Sequence, residues 1–301
     1  MSGQGNSRKK TPAGRCCPAK GNIGPGTKAS EATKQAVRKD YADLVKSPPR
    51  ASRGGTVPTA AELAGYTPEQ LEALPEEMRD TIFACGNPVA FAGIRQGQVV
   101  LDIGSGAGVD VLLAAGTVGP AGKVIGLDMT PEMIESARAN AAKAGAVNVE
   151  FRLGDAEAMP VEDASCDWII SNCVINLAPD KPKVFSEAFR VLKPGGRLMV
   201  SDIVTHDLPE EVRANIAAWT RCIGGAPEES QYLRDVRAAG FEHVEVLARK
   251  TYQEDLLRGM AVCCSCEEAD EAAARLVELV PQIAGHVSSV LISAVKPPAR
   301  K

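Results

Sequence analysis

The sequence predicts an α/β protein: a doubly wound, mainly parallel sheet, with helical segments before it and a small α/β extension after it. Three observations carry that expectation. Short apolar runs alternate with helix-like stretches from Gln98 onward. The first run ends in a glycine-rich turn, Gly104-Ser105-Gly106-Ala107-Gly108. The chain has 301 residues, of which 45% are hydrophobic and 24% charged, enough to bury a sizeable core.

Each element has its own signal. From residue 31 the composition turns helical, with Val37, Tyr41, Leu44 and Val45 on one stripe, and Pro48-Pro49 stops the segment. Thr67-Pro68-Glu69 opens a helix with a cap and a first-turn proline, and Asn87-Pro88 repeats that signal after Cys85. Apolar runs at 98–103, 123–127, 149–153 and 168–173 read as strands, and 182–192 as a helix whose Phe185, Phe189, Val191 and Leu192 form a core stripe. Lys193-Pro194-Gly195-Gly196 reads as a stop before a fifth strand at 197–204. A helix at 228–239, a strand at 244–249, a helix at 269–280 and a strand at 287–295 suggest an antiparallel addition.

Charge and composition exclude several classes. The first thirty residues hold Arg8, Lys9, Lys10, Arg15, Lys20 and Lys28 and no acid, so the remaining 271 carry a net charge of -10. An acidic body is the wrong platform for nucleic acid. No apolar run is long enough to span a membrane and the start lacks the apolar region of a secretory signal, so a cytoplasmic chain with no membrane partner is expected. Glycine and proline in residues 1–30 spoil a transit-peptide helix and favour disorder there. Nine cysteines, an odd number in a long chain, disfavour a disulfide scaffold and suggest metal, metalloid or redox chemistry for some of them.

The glycine turn follows a strand and opens a helix, where bare backbone approaches a ligand. The dinucleotide fingerprint needs glycine or alanine at the position of Val109, and a P-loop is absent because Gly122-Lys123 is followed by Val124. Asp128 ends the second run, 24 residues after Gly104, where a carboxylate suits two ribose hydroxyls. Asp102, ahead of the glycines, would repel a diphosphate but suits a ligand carrying ammonium and sulfonium groups. Cys173 closes the fourth run, at the sheet edge where ligands of open α/β sheets lie. Cys85 precedes the sheet and Cys222 follows the fifth strand in Arg221-Cys222-Ile223-Gly224-Gly225. Each alone reads as a small buried hydrophobe, as does Cys166 at the opposite end of the sheet, yet three thiols converging on one site is the alternative. Cys263-Cys264-Ser265-Cys266 lacks a histidine close in sequence and falls short of a zinc site; His206, His243 and His286 are scattered.

VLDIGSGAG at 100–108, the acid at 128, Gly154-Asp155-Ala156 and VLKPGGRL before the fifth strand together resemble the class I S-adenosylmethionine methyltransferases. That resemblance covers residues 97–204 and implies a Rossmann-like fold, with Asp102, Gly104, Gly106, Gly108, Asp128, Met129, Asp155, Ala156 and Asn172 around the cofactor S-adenosyl-L-methionine. Met129 would flank the adenine and Asp155 would face its amino group.

Ala84-Cys85-Gly86-Asn87-Pro88, DMTPEMIESARANA, NVEFRLGDAEAMPV, SNCVINLAPDKPKVF and RCIGGA are further similar to the arsenite methyltransferases, from about residue 35 to 249. This resemblance implies that Cys85, Cys173 and Cys222 bind arsenic as substrate, that arsenite or its thiol conjugates are the partner, and that a reductant such as glutathione or thioredoxin restores the thiols. It divides the chain into a basic tail at 1–30, a helical segment at 31–96, a cofactor-binding core at 97–204 and a substrate cap that completes the sheet at 205–301. Longer members of the family carry a further cysteine before the ACGNP element, and here residues 37–83 contain none. Asn87-Pro88 is expected to open a helix whose N-terminus promotes thiolate formation at Cys85.

Overall fold

The computed structural model describes residues 27–46, 60–79, 82, 84–208, 225–257 and 278–299. A seven-stranded sheet of order β3-β2-β1-β4-β5-β7-β6 forms its centre. Strands β1 (Val99–Ile103), β2 (Lys123–Asp128), β3 (Val149–Leu153), β4 (Cys166–Asn172) and β5 (Leu192–Thr205) are parallel. Strand β7 (Val287–Val295) enters antiparallel between β5 and β6 (Glu242–Thr251), which is the antiparallel addition expected.

The strand sequences explain their places. Strand β1, Val-Val-Leu-Asp-Ile, is buried along almost its whole length because helices cover both faces of the sheet, so its apolar run is continuous rather than alternating. Successive residues still part to opposite faces. Val100, Ile170 and Met199 pack into one core with helices α6 (Val109–Val118) and α7 (Pro131–Lys143). Leu101, Ile169 and Leu198 pack into the other with α8 (Lys181–Val191) and α9 (Glu229–Ala238). Phe185 and Phe189 belong to this second core, where their rings meet Tyr232 and Phe241 edge-on. Strand β6 lies at the edge and carries Glu242, Glu245, Arg249 and Lys250, charges that discourage further strand pairing.

Ahead of the sheet lie α1 (Thr27–Lys46), α2 (Ala60–Ala64), α3 (Pro68–Glu72), α4 (Glu76–Arg79) and α5 (Pro88–Phe91). Helix α1 starts four residues before the expected boundary at 31, and of the tail proper residues 1–26 lie outside the described residues. Thr67 and Gln70 form the reciprocal capping box that opens α3, as the Thr-Pro-Glu signal implies.

Two details differ from expectation. Lys193-Pro194-Gly195-Gly196 does not stop the chain before β5 but bulges out of it. The β4–β5 register jumps there, from Cys166 opposite Leu192 to Trp168 opposite Arg197, and Gly195 takes φ 80°. The helix after Asn87 is four residues long, because Ala92 already leaves the helical region. So short a turn has only a weak dipole to lend Cys85, and that expected source of thiolate activation is withdrawn.

Candidate active site

The carboxyl ends of β1, β2 and β4 all point to one edge of the sheet, and the strand order reverses between β1 and β4. A cavity of about 330 Å³ opens there. Its floor is the glycine loop. Gly104, Gly106 and Gly108 have φ of 73°, 51° and 93°, a region that costs other residues roughly 1–3 kcal/mol. The three glycines serve different ends. A Cβ on Gly104 would run into Val174, and one on Gly108 would press on Phe151 at 3.3 Å, whereas one on Gly106 would stand in open space. Gly106 is therefore where a ligand can reach bare backbone.

Three carboxylates from consecutive elements converge on the floor. Asp128 at the end of β2 accepts from Gly106 N at 3.0 Å and from Thr130 N at 2.8 Å, so it fixes the glycine loop as well as facing the cavity. Asp102 lies buried on β1; burial raises its carboxyl well above the ordinary range, and Asp110 and Asp128 add to the effect. Asp110, in the first turn of α6, is pushed up to about 6 by burial, against hydrogen bonds from Asn172 and Tyr66. Acids crowded this way favour a cation in the cavity. The open Gly106 and the acid-lined floor fit a ligand with sulfonium and ammonium charges.

Met129, Asp155 and Ala156 line the cavity as expected. Asp155 is also paired with Lys34 of α1 at 2.6 Å; burial works against its charge, but the lysine holds its carboxyl below the usual range.

Asn172 reaches the cavity too, but its amide is spent inside the protein. Its Oδ1 accepts from Cys85 N at 3.0 Å and Gly86 N at 3.4 Å. Its Nδ2 donates to Gly86 O at 2.6 Å, Tyr66 Oη at 3.0 Å and Asp110 Oδ2 at 3.1 Å. Asn172 is thus a tether between the Cys85 loop and the carboxylate floor, rather than a free arm for a ligand.

Cysteines 85 and 173, separated by 88 positions in the chain, are joined as a disulfide, with Cα atoms 5.6 Å apart. The Cys85 loop is held by Asn172 and by Ser289 of β7, whose hydroxyl donates to Cys85 O at 2.6 Å. A Cβ on Gly86 would strike the Ser201 hydroxyl, so a larger residue there would have to displace that side chain. Cys173 stands one residue past β4 in the left-handed region, φ 58°, and its N–H donates to Ser201 O at 2.8 Å. A non-glycine residue held there is strained backbone at a cavity wall, a common signature of functional sites. Beneath the pair lies an apolar nest of Ile203, Leu208, Tyr252, Leu257, Ile283 and Val287.

Cys222 lies outside the described residues, as do Cys16, Cys17, Cys263, Cys264 and Cys266, so two of the three expected thiols are placed together. Cys166 is buried at the far end of β4, where burial pushes its thiol up, in keeping with a packing role. His206 and His286 are bonded within the fold, to Ser288 and to His206 O. Sequence reasoning missed Lys34, Tyr66 and Asp110. Asp110 carried a usable signal, an acid two residues past the glycines; the other two sit in helical or loop contexts that look ordinary.

Comparison with known proteins agrees with this geometry. Residues 94–240 match a methyltransferase domain family. The arsenite methyltransferase of Halobacterium salinarum is 43% identical over 231 residues, which span 72% of this chain and 59% of that one. The human arsenite methyltransferase is 36% identical over 203 residues, 63% of this chain and 53% of its own. The crystal structure of an arsenic(III) S-adenosylmethionine methyltransferase from Chlamydomonas reinhardtii superposes with a TM-score of 0.62 at 33% identity, covering 82% of this chain and 76% of that one. The chain spans between half and three fifths of the length of these two curated relatives. A seven-stranded sheet of this order with a glycine loop and acid at its switch point defines a class I S-adenosylmethionine-dependent methyltransferase. Within that class, the chain belongs to the arsenite methyltransferase family.

Proposed function

We propose that this chain transfers a methyl group from S-adenosylmethionine to trivalent arsenic held by cysteine thiolates. The observation that carries the reading is the meeting of Cys85 and Cys173 at the wall of the glycine-loop cavity. Trivalent arsenic is soft and thiophilic, as are the metals that thiolates select. Gly106, Asp102 and Asp128 would hold the cofactor, Gly104 and Gly108 would shape the loop beneath it, and Met129, Asp155 and Ala156 would lie at its far end. When bound, S-adenosylmethionine would supply an electrophilic sulfonium methyl that a soft lone pair can attack, S-adenosylhomocysteine leaving as the neutral thioether.

The chain's own residues then have three tasks. Cys85 and Cys173, and Cys222 by family resemblance, hold the substrate arsenic. Its lone pair is the nucleophile, so no general base is required. Asn172, Ser289 and the left-handed Cys173 fix the thiols relative to the cavity, and alignment of this kind is worth up to roughly 7–11 kcal/mol in well-oriented systems. The apolar nest under the pair keeps water from the thiolates. A free thiol with pKa near 8.5 is only a few per cent ionised at neutral pH, so arsenic itself displaces the protons as it binds. In the disulfide form the pair cannot take arsenic. Two glutathione molecules, oxidised to glutathione disulfide, or one dithiol such as thioredoxin, oxidised to its own disulfide, supply the two electrons and two protons that restore it, which makes such a reductant a partner. Arsenic detoxification in the cytoplasm is the physiological role we infer; among the described residues no helix is long and apolar enough to cross a membrane.

The test is release of S-adenosylhomocysteine by the reduced protein with arsenite, with arsenic species resolved by chromatography. Arsenite-dependent release and methylated arsenic are expected. Cys173→Ser should abolish methylation while leaving cofactor affinity nearly intact. Retained turnover in that variant, or release only with an organic acceptor, overturns the arsenic reading.

A further inference from the structure

Helix α1 is no bystander to the cavity. Val37, Tyr41 and Val45, spaced so that they share one helix face, line it from above, while Gly106, Met129 and Ala156 line it from the sheet. One turn before Val37 on that face stands Lys34, 8% exposed, with its ammonium 2.6 Å from Asp155 Oδ2 and 2.6 Å from Glu157 Oε2. These partners lie 121 and 123 positions away in the chain.

The receiving side is rigid. Asp155 Oδ1 accepts from Glu157 N at 2.9 Å, and Glu157 Oε1 accepts from Asp180 N at 3.0 Å, so both carboxylates are braced by backbone from their own side. On the α1 side, which also packs against α7, Lys34 is the charge that reaches both of these carboxylates. Arg38, a turn further on, influences Asp155 at a distance but bonds Glu31 on its own helix. Burial works against the charge on Lys34, yet the two carboxylates outweigh it and raise its pKa. A largely buried ion pair of this kind adds little net stability against an apolar replacement; what it specifies is registry, since a one-residue slip of α1 would leave the buried Glu157 and the half-buried Asp155 without their cation.

We propose that Lys34 is a positioning residue that latches α1 over the Asp155 end of the cavity, so that cofactor entry and product release require the Lys34 ion pairs to open. This rests on the cavity being the S-adenosylmethionine site. The latch holds the Asp155 carboxylate in place when α1 is closed and sets the rate of ligand exchange, acting through Asp155 and α1 rather than on the reacting atoms.

The experiment measures dissociation of tritium-labelled S-adenosylhomocysteine from the purified, reduced full chain by rapid filtration at several KCl concentrations. Lys34→Met should release it about tenfold faster or more, and Glu157→Gln should move the rate in the same direction. Lys34→Arg should restore it to within about threefold of the wild type, since a guanidinium spans two carboxylates. The wild-type rate should climb with KCl more steeply than the Lys34→Met rate, because only the former breaks the Lys34 pairs as well as the ligand's own ionic contacts. A loss of packing alone would lower the thermal midpoint without removing the salt dependence. Unchanged release rates in folded Lys34→Met and Glu157→Gln, or equal salt dependence in wild type and Lys34→Met, overturn the latch. Failure of the folded wild type to bind S-adenosylhomocysteine at all overturns the cofactor reading itself, and the latch with it.

Discussion

Asp128 does two jobs with one carboxylate, because Gly106 N and Thr130 N each donate to a separate oxygen while the group faces the cavity. Removing it should therefore cost more than a ligand contact. Asp128→Ala is expected to weaken cofactor binding by about 1.5–3 kcal/mol, the size of a charge-assisted hydrogen bond, with any loosening of the glycine loop adding to it. Isothermal titration reads this directly, and an unchanged affinity would refute the assignment of the acid. Asp128 was legible because strand, glycines and acid stand at a recognisable spacing. Asn172 was legible only as a residue near the site. Its use as a tether depends on Cys85, Gly86, Tyr66 and Asp110 arriving from other parts of the chain, and no local pattern encodes that.

At the scale of elements, the joint between β1 and α6 is the one most sensitive to a single atom. Gly104 combines φ 73° with a path blocked by Val174. The strain of a side chain in that region and the overpacking each cost roughly 1–3 kcal/mol, so Gly104→Ala should destabilise the fold by about 2–6 kcal/mol, visible as a lower midpoint in urea unfolding. A variant as stable as the wild type would mean that the loop relaxes freely. Elements like this one were readable because buried parallel strands are continuous apolar runs; β3 and β7 have the expected bounds, and the other strands differ by a few residues. The bulge in β5 was not readable. Lys-Pro-Gly-Gly breaks a helix in isolation, and pairing with β4 on either side of it, at Leu192 and Arg197, together with backbone hydrogen bonds joining Gly195 and Gly196 to Lys296, keeps the chain in the sheet through it. Helix α5 fell short for a similar reason: the Asn-Pro start is real, with Asn87 capping Ala90 N at 3.1 Å, but a start signal says nothing of length.

At the scale of the whole molecule, charge buried behind the sheet shapes the response to pH. Asp202 on β5 is fully buried and receives the Tyr232 hydroxyl at 3.1 Å; burial pushes its carboxyl up to about 7, against that bond and the nearby Lys181. An acid with a raised folded-state pKa binds its proton more tightly folded than unfolded. Its contribution to stability therefore falls as pH rises from near 4 to near 7. Asp202→Asn keeps the shape and removes the titration, so the stability of the variant relative to wild type should rise across that window, by a few kcal/mol at most. Urea unfolding at pH 5 and pH 8 measures the difference, and a constant offset between the two proteins would show that Asp202 does not titrate there. Ion pairs on the surface pull the other way: Glu150, held down to about 2 by Arg152 and Lys123, loses its contribution only in strong acid.

Strand β7 imposes an order of events on synthesis. Strand β5 ends at Thr205, while the strand that lies along it begins only at Val287. At roughly 5–20 residues per second, a ribosome needs several seconds to supply that partner. Until then β5 presents an open edge, and the carbonyl of Cys85 waits for a hydroxyl, that of Ser289, which has not yet been made. The residues of the five parallel strands and of the glycine turn are therefore all synthesised before the thiol-bearing loop can be fastened. The cavity wall that carries Cys85 is thus the last part of the proposed site whose fastening can be made.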